Sequence, residues 1–442
     1  MAKLTFKGGI HPHEGKELTK DKPIREVLPK GDLVYPMSQH IGAPATPIVA
    51  VGDHVLAGQK IAEAQGFVSA PVYATVSGTV KAIEKRRVVT GNLVESIIVE
   101  NDGNYEEVEY PAVKPLEELT TEEKINMIRE AGIVGMGGAG FPTAVKLSPK
   151  EPEKIEYIIA NCSECEPYLT SDYRRMKENP DLLLQGLRIA VGLFPNAKGI
   201  LAIEDNKQDV IDMFKEMVRD DDKILVKELM TKYPEGAERM LIYACTGREI
   251  NSSQLPADAG CIVDNVDTLV AVGRAVTEGK PLMERIVTIT GEAINDPCNF
   301  KVRIGTNYAE LIEEAGGFKT EPAKIISGGP MMGFAIFDTN VPTTKTASAM
   351  TCLTDAEVEW LAPTACINCA KCVEACPEHL VPKNLADAVE NDDEERFLKE
   401  YGMECCECGC CSFVCPAKRH LTQQIKGMRK IQLGKRAAAA KK

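Results

Sequence analysis

The chain has 442 residues, of which 44% are hydrophobic and 26% charged, and its net charge is −13. This composition is typical of a multidomain globular protein, and the acidic balance argues against nucleic-acid binding. There are 16 cysteines, yet the N-terminal residues lack the apolar core of a signal peptide. Dense thiols without an export signal indicate metal or redox chemistry in a reducing compartment, and no apolar run has the roughly 18 to 20 residues of a membrane helix. We therefore expect a cytoplasmic location, or attachment to a membrane through partners.

Residues 1–110 are predicted to form a β domain. Short apolar runs such as TPIVAV and TVSGTVKAI are separated by Gly-Asp and Ser-Gly turns. The pattern V-G-D-x-V-x-x-G-Q at 51–59 resembles the barrel-sandwich hybrid fold of biotinyl and lipoyl domains. Those domains carry a modifiable lysine on an exposed hairpin, but the corresponding stretch here, AQGFVSAPVYA, has none. We expect a structural domain without a swinging arm.

Residues 117–284 change to an α/β pattern. A Thr-x-x-Glu start at Thr120 or Thr121 and a glycine stop at Gly132 predict one helix. The apolar runs IEYIIAN and KGILAIED predict buried strands, and amphipathic stretches after each of them predict helices. Alternation of strand and helix favours a mainly parallel sheet.

The remainder of the chain divides into three parts. Residues 285–342 predict a small strand–helix–strand module, and residues 355–422 are predicted to be helical around ten closely spaced cysteines. The last part, 423–442, is a basic tail: from Lys418 to the end there are nine Lys or Arg and no acidic residue. This tail is either a docking arm for acidic partners or anionic headgroups, or a disordered, solubilising end.

Two runs of cysteines follow the spacing C-x2-C-x2-C-x3-C, each followed by proline. This spacing is that of two-cluster bacterial ferredoxins, where three cysteines of one run and the fourth of the other hold each [4Fe–4S] cluster. The alternative, structural zinc, needs only four ligands, usually in two separated pairs. Cys406 and Cys410 fall outside the spacing and are predicted to be free thiols. The predicted ligands are Cys366, Cys369, Cys372 and Cys415 for cluster 1, and Cys376, Cys405, Cys408 and Cys411 for cluster 2.

The stretch GIVGMGGAGFPTAVKL contains a G-x-G-x-x-G pattern at Gly135, Gly137 and Gly140. The dinucleotide-binding version of this pattern follows a strand, whereas here a helix precedes it, so the ordinary Rossmann interpretation does not hold in detail. Four glycines in six residues let backbone N–H groups approach a phosphate or a planar ring. The alternative is a glycine-rich turn without a ligand.

The glycine loop resembles the G-x-G-G-A-G-F-P-T-x-x-K segment of the NADH-binding flavoprotein subunit of respiratory complex I. The stretches NCSECEPY, CTGREIN and VDNVDT are similar to further segments of that family, and residues 285–342 resemble its β-grasp (SLBB) module. The order of barrel, Rossmann-like flavin core, β-grasp module and double [4Fe–4S] region resembles the RnfC family, which supplies one subunit of the Rnf complexes. The opening FKGGIHP also fits that family, whose complexes are membrane-bound, ion-translocating ferredoxin:NAD oxidoreductases.

The resemblance implies binding of FMN and NAD(H), with no catalytic residue beyond the cofactors. The glycines and Lys146 would hold the FMN phosphate region, and Phe141 would stack on the nicotinamide nucleotide. Polar residues after the next strands would face the flavin or the dinucleotide, or cradle FMN from the far side. By motif match the candidates are Gly135, Gly137, Gly138, Ala139, Gly140, Phe141, Lys146, Asn161, Ser163, Glu164, Glu166, Glu249, Asp264, Asn265 and Thr268.

Four positions depart from the family pattern. Met136 replaces an arginine, Ser163 an aspartate, Arg248 one of a pair of glutamates, and Asp264 an asparagine. Local contacts to the phosphate and the nicotinamide are therefore expected to differ from those of the complex I flavoprotein.

The resemblance implies an enzyme subunit that exchanges electrons between NAD(H) and partner subunits or ferredoxin through FMN and two [4Fe–4S] clusters. The complex would couple this exchange to translocation of Na⁺ or H⁺. Integral-membrane and ferredoxin-like subunits are the expected partners. The chain would be peripheral on the cytoplasmic face of the cell membrane, touching it only through partners or the tail. Two alternatives stay open: a cobalamin-reductase-type flavoprotein of bacterial microcompartments, whose members begin close to the glycine loop, and a ferredoxin-like wiring scaffold without flavin.

Overall fold

The computed structural model describes residues 3–440 and contains four sheets in that part of the chain. Residues 1–2 and 441–442, the outer ends of the predicted barrel domain and basic tail, lie outside the described residues. Strand β1 (Arg25–Val27) precedes the barrel and joins a later sheet. The barrel consists of two small antiparallel sheets that share one apolar core. Its strands are β2 (Leu33–Pro36), β3 (Thr46–Pro47), β4 (His54–Val55), β5 (Lys60–Glu63), β6 (Val72–Tyr73), β7 (Gly78–Arg87) and β8 (Leu93–Asn101).

The central domain is a four-stranded parallel sheet with helices on both faces, as predicted. Ile158 belongs to one apolar core and Ile159 to the other, which explains the uninterrupted apolar run of their strand. The strands are β9 (Tyr157–Cys162), β10 (Lys198–Glu204), β11 (Ile224–Leu229) and β12 (Cys261–Asn265), in the order β11-β10-β9-β12. The helices are α1 (Thr121–Glu130), α2 (Thr143–Lys146), α3 (Ser171–Glu178), α4 (Pro180–Val191), α5 (Gln208–Met217), α6 (Glu238–Thr246) and α7 (Val266–Glu278).

The β-grasp module is a six-stranded mixed sheet that takes in β1 from the start of the chain. Its other elements are β13 (Glu284–Thr290), β14 (Cys298–Arg303), α8 (Tyr308–Glu314), β15 (Lys324–Ser327), β16 (Phe334–Ile336) and β17 (Ala349–Leu353). The sheet order is β1-β14-β13-β17-β15-β16. The module therefore continues past residue 342, where the sequence pattern placed its end.

The cysteine-rich region is helical. It contains α9 (Lys371–Glu374), α10 (Pro382–Glu390), α11 (Glu394–Lys399), α12 (Cys410–Phe413) and α13 (Leu421–Ala440). The basic tail forms most of α13, and Ile425 and Met428 are buried beside Leu385 and Phe397. The first half of the tail is thus part of this domain's core.

Short 3₁₀ turns connect several elements, at Lys16–Leu18, Leu116–Glu118, Pro152–Lys154, Asp205–Lys207, Pro256–Ala259, Asp355–Glu357 and Gly402–Glu404. Within residues 3–440, no helix combines the length and apolarity needed to span a membrane.

Candidate functional site

The carboxyl ends of the four parallel strands form the edge on which the candidate residues converge. Asn161 on β9 and Asn265 on β12 are direct register partners at this edge. The glycine loop lies against it: a Cβ added to Gly137 would be 3.0 Å from the Cβ of Asn265. Ligands of open α/β sheets bind in the crevice outside these strand ends. The structure therefore brings the loop and the polar strand ends together, as the resemblance implied.

The glycine loop is held at its ends and open at its centre. Gly135 N–H donates to the carbonyl of Phe141 at 2.8 Å, and Met136 N–H donates to Oγ1 of Thr268 at 3.0 Å. Thr268 therefore anchors the loop with its hydroxyl. A Cβ added to Gly138 would meet no atom of residues 3–440 within 4 Å. The middle of the loop is therefore free to receive a ligand.

The barrel and the β-grasp module brace this loop from behind. A Cβ on Gly140 would be 3.1 Å from the Cα of His40 in the barrel. Lys345, which is buried, donates from Nζ to the carbonyls of Pro71 at 2.6 Å and Gly132 at 2.8 Å. Because Gly132 ends the segment that leads into the loop, the barrel has a supporting role at the site, consistent with the absence of a modifiable lysine.

Buried Asp264 and half-buried Lys146 form an ion pair beneath the loop. Lys146 Nζ lies 3.2 Å from Asp264 Oδ1 and donates to the carbonyl of Val263 at 2.6 Å. Burial raises the pKa of Asp264, and Lys146 partly offsets this increase. Burial opposes the charge of Lys146, but the attraction of Asp264 and Glu238 leaves its pKa raised. The positive charge of Lys146 is therefore paired with Asp264 and is not left unpaired for a phosphate group.

Several buried polar atoms at this edge have no hydrogen-bond partner among the described residues. They include Oδ2 of Asp264, Oγ of Ser163 and Oε1 of Glu235. Buried polar groups are normally paired, so unpaired ones at a crevice indicate a ligand or water. FMN fits this donor set, because its ribityl hydroxyls and ring N–H groups can donate to a carboxylate and its ring acceptors can pair with a hydroxyl.

The polar side chains at the end of β9 and just after it have different hydrogen-bond partners. Asn161 donates from Nδ2 to the carbonyl of Gly236 at 2.8 Å. Glu164 caps α3, since its carboxylate accepts from the N–H groups of Asp172 at 2.7 Å and Tyr173 at 3.2 Å. The carboxylate of Glu164 is therefore occupied by the start of α3, whereas Asn161 lies at the carboxyl edge of the sheet.

Glu166 faces the β-grasp module. Its carboxylate accepts from the N–H groups of Met331 at 3.2 Å and Met332 at 2.8 Å. Burial raises the pKa of Glu166 to about 7, and these two hydrogen bonds oppose that increase. A Cβ on Gly329 would lie 2.2 Å from Glu166 Oε2. The segment that carries Met331 and Met332 can therefore approach Glu166 only because residue 329 is glycine.

Two other candidates differ in position. Phe141 is half-buried next to the loop, where stacking is possible. Glu249 is exposed and follows Arg248, which is bonded to Glu156 at 2.8 Å, just before β9 begins. Helix α6 carries the chain from the carboxyl edge of the sheet to the opposite edge. The structure therefore does not bring Glu249 to the candidate site.

Sequence reasoning missed several residues that shape the site. Asp172 accepts from Nδ2 of Asn265 at 2.7 Å, and Asp267 pairs with Arg175 at 2.7 Å and Arg285 at 2.9 Å. The Arg285 guanidinium also lies 2.7 Å from the sulfur of Met136, the position at which the complex I family has an arginine. Gly236, whose carbonyl accepts from Asn161, was also missed. Its position between a strand and a helix is the only sequence signal that could have indicated it.

Cysteines of the two runs lie close to one another, in groups that follow the predicted ligand sets only in part. Burial raises the pKa of Cys372, and the nearby sulfurs of Cys415 and Cys366 raise it further, so the two runs meet as expected for cluster 1. Burial raises the pKa of Cys376 to about 11 and that of Cys405 to about 12, and the sulfurs of Cys406 and Cys411 add to both increases. No three potential ligand side chains of residues 3–440 are close enough to enclose a single metal ion. Sulfurs from both runs lie in three apolar groups, which hold Cys376 with Cys405, Cys408 with Cys406 and Cys410, and Cys372 with Cys411 and Cys415.

Cys406 and Cys410 pack with Cys408, a predicted ligand, and with Ile10 and Tyr233 in an apolar group between the domains. Cys410 is fully buried and its sulfur lies 3.9 Å from the Tyr233 carbonyl. This grouping does not separate Cys406 and Cys410 from Cys408, so their assignment as free thiols stays a prediction.

A parallel sheet with a glycine loop at its carboxyl edge, joined to a double-ferredoxin cysteine region, defines a flavoprotein-type electron-transfer protein. Family models match in three places: the RnfC barrel sandwich hybrid domain at 4–104, the Nuo51 FMN-binding domain at 128–274 and the SLBB domain at 286–335. The FMN-binding match covers the glycine loop and both strands that flank the crevice.

Curated relatives match nearly the full chain. One is the RnfC-type protein of the Na(+)-translocating ferredoxin:NAD(+) oxidoreductase complex of Acetobacterium woodii, 42% identical over 425 residues, 96% of each chain. Another is the counterpart from the proton-translocating complex of Clostridium ljungdahlii, 45% identical over 401 residues, 90% of this chain and 87% of the relative. The chain belongs to the RnfC family of ion-translocating ferredoxin:NAD(+) oxidoreductase complexes. This confirms the resemblance and the fold class.

A crystal structure of an NAD+-reducing [NiFe]-hydrogenase in the H2-reduced state is also similar. It has a TM-score of 0.50 and 17% identity, and the match covers 71% of this chain and 63% of that one. At this identity the likeness concerns the fold alone.

Proposed function

We propose that this chain exchanges electrons between NAD(H) and the other redox subunits of its complex, using FMN and two [4Fe–4S] clusters. The observation that carries the proposal is the open Gly138 loop at the sheet edge where Ser163 Oγ and Asp264 Oδ2 are buried without a partner among the described residues. This crevice lies in a domain that matches an FMN-binding family. FMN would supply the conversion between the two-electron chemistry of NAD(H) and one-electron carriers.

Several residues would bind and orient the flavin. Backbone N–H groups of Gly137, Gly138 and Ala139 would donate to a phosphate or a ring. Asp264 can only accept while ionised, so it would face hydroxyl or N–H groups of the ligand rather than its phosphate. Phe141 would provide the stacking surface for the nicotinamide nucleotide.

The cysteine-rich region would hold the clusters. We propose Cys366, Cys369, Cys372 and Cys415 as ligands of cluster 1, and Cys376, Cys405, Cys408 and Cys411 as ligands of cluster 2. The support is the double spacing and the contact between the two runs near Cys372 and Cys411. Three cysteines of each run would be completed by the fourth of the other.

We propose a role for each domain. Residues 1–110 would support the loop, and 117–284 would bind FMN and NAD(H). The β-grasp module, predicted as 285–342 and extended by its sheet to Leu353, would brace the core, and 355–422 would carry the clusters. Integral-membrane and ferredoxin-like subunits would be the partners, and the chain would be peripheral on the cytoplasmic face. Coupling of electron exchange to Na⁺ or H⁺ movement is the activity named for the relatives, and we propose it for this complex.

The test is cofactor analysis of the full chain, purified without oxygen. We expect equimolar extractable FMN, about eight irons per chain for two four-iron clusters, and oxidation of NADH by an artificial dye. NAD⁺ should reoxidise the dithionite-reduced clusters. Full iron without flavin or NADH oxidation would instead establish the wiring scaffold.

A further inference from the structure

The N-terminal arm, which we define as residues 3–19, runs outside the barrel and along the flavin core. Leu4 forms a parallel bridge with Leu229, the last residue of β11. Ile10 and Tyr233 exchange two backbone hydrogen bonds, of 2.8 and 2.9 Å. The arm therefore follows the carboxyl edge of the sheet, where the candidate flavin site lies.

One end of the arm is fixed to the segment that borders this site. Lys16 is buried, and its Nζ donates to the carbonyls of Glu164 at 2.9 Å, Glu166 at 3.0 Å and Leu169 at 2.5 Å. Three backbone acceptors around one ammonium group hold this segment in a single conformation. The arm is thus anchored directly beside the residues that follow β9.

The other part of the arm touches the first cysteine run. Gly9 N–H donates to the carbonyl of Ala375 at 2.9 Å. Gly8 has φ of +80°, and a Cβ there would be 2.7 Å from the carbonyl oxygen of Cys376. Any side chain at Gly8 would push against the backbone of a proposed ligand of cluster 2.

Tyr233 extends the same contact to the second cysteine run. This side chain is buried, and its hydroxyl donates to the carbonyl of Cys408 at 2.7 Å. Tyr233 therefore pairs with Ile10 through its backbone and with Cys408 through its side chain. The arm and this tyrosine together reach both Cys376 and Cys408, which come from different runs but are proposed for one cluster.

We infer that the arm is a positioning element for electron transfer, in which Gly8, Gly9 and Ile10 fix cluster 2 relative to the flavin core. This inference rests on the proposed function. The affected step moves one electron between the flavin and the cluster, so that one is oxidised as the other is reduced. Its rate depends on the relative position of the two groups, and the arm contacts both the flavin core and the backbone beside Cys376, in addition to direct contacts such as Arg239 with Glu404.

The experiment compares Gly8→Val with a matched control in the full chain. Gly91→Val introduces the same residue at a similar φ of +82°, but its Cβ would meet no atom of residues 3–440 within 4 Å. Each protein is reduced with dithionite and mixed with NAD⁺, and cluster and flavin absorbance are followed by stopped flow. Flavin reduction by NADH is measured separately, together with iron content and the electron paramagnetic resonance spectrum of the reduced clusters.

We expect Gly8→Val to keep its flavin, its iron and the wild-type rate of flavin reduction by NADH. Reoxidation of the clusters should slow by about tenfold or more, since small displacements of reacting groups have large effects on rate. The spectrum of one of the two clusters should also change. Gly91→Val should resemble the wild type in every measurement.

Tyr233→Phe provides a second test if Gly8→Val does not fold. It removes only the hydroxyl bonded to Cys408, and should slow cluster reoxidation while iron and flavin stay complete. Wild-type reoxidation rates and spectra in a folded Gly8→Val, or in Tyr233→Phe where the first variant does not fold, would overturn the positioning role. Wild-type protein without flavin or iron would instead refute the proposed function itself.

Discussion

Glu166 accepts a hydrogen bond from the N–H of Met332 at 2.8 Å, and this contact ties the flavin core to the β-grasp module. The complex I resemblance placed the Glu166 carboxylate toward the flavin or the dinucleotide. The structure directs it to the loop at Met331 and Met332, on the side of the core where Tyr233 meets the cysteine-rich region. We therefore propose a positioning role for Glu166.

Replacing Glu166 with glutamine should alter how stability depends on pH. The folded-state pKa is about 7 because the group is buried, whereas the ordinary value is 4.5. The folded protein thus keeps a proton that the unfolded chain has lost, so this group's contribution to stability falls as pH rises from about 4.5 to about 7. The change is of the order of 3 kcal/mol.

Thermal unfolding at pH 5 and pH 8 checks this prediction. Wild type should lose more stability between the two values than Glu166→Gln, which carries no titrating group at this position. We also expect the variant to retain FMN. Equal pH dependence in the two proteins would show that Glu166 does not titrate in this range.

Local signals explain why much of the fold could be predicted. Thr120 and Glu123 form a reciprocal capping box at the start of α1, and both partners lie within four residues of sequence. The consecutive buried residues Ile158 and Ile159 identified a strand covered on both faces. The cysteine spacing is likewise readable without knowledge of the fold.

The parts that could not be predicted depend on contacts between distant residues. Glu166 and Met332 are 166 residues apart, and no local pattern pairs them. Glu249 appeared equivalent to the other candidates because sequence order does not reveal that α6 crosses from one sheet edge to the other. The contacts of Lys16 could not be predicted for the same reason, since its three carbonyl partners belong to another domain.

Substitution of single cysteines should distinguish ligands from neighbours. Cys405→Ala should lose one cluster, whereas Cys406→Ala and Cys410→Ala should lose none, because only Cys405 satisfies the spacing. Iron per chain and visible absorbance measure the outcome. Loss of iron from Cys406→Ala but not from Cys405→Ala would mean that the proposed ligand register is wrong.

Truncation of the basic tail should have two distinct effects, depending on where it starts. Removing 423–442 deletes Ile425 and Met428, which are buried in the core of the cysteine-rich domain, at a cost of about 2–5 kcal/mol for each such side chain. We expect this truncation to lose iron. Removing only 434–442 spares those residues, so both clusters should stay.

The shorter truncation removes four basic residues of the tail, Lys435, Arg436, Lys441 and Lys442, without removing its buried side chains. If the tail docks on acidic partners or anionic headgroups, retention on membranes at low salt should weaken, since each exposed charge near such a surface contributes about 1 kcal/mol and is screened by salt. Sedimentation with membranes at two salt concentrations provides the measurement. Unchanged retention would support a purely solubilising tail.

The central claim is that the loop from Gly135 to Lys146 binds FMN, and Gly138→Val tests it most directly. Gly138 has no left-handed backbone strain, and an added Cβ would meet no described atom within 4 Å, so valine should fill ligand space without disturbing the fold. Gly427→Val is the matched control, because that helical glycine is equally open and lies in α13. The measurement is FMN released per chain, with iron content and melting temperature alongside. We predict that Gly138→Val loses FMN and NADH-to-dye electron transfer while keeping its iron and stability, and that Gly427→Val keeps all four. Full FMN content in Gly138→Val would contradict the account.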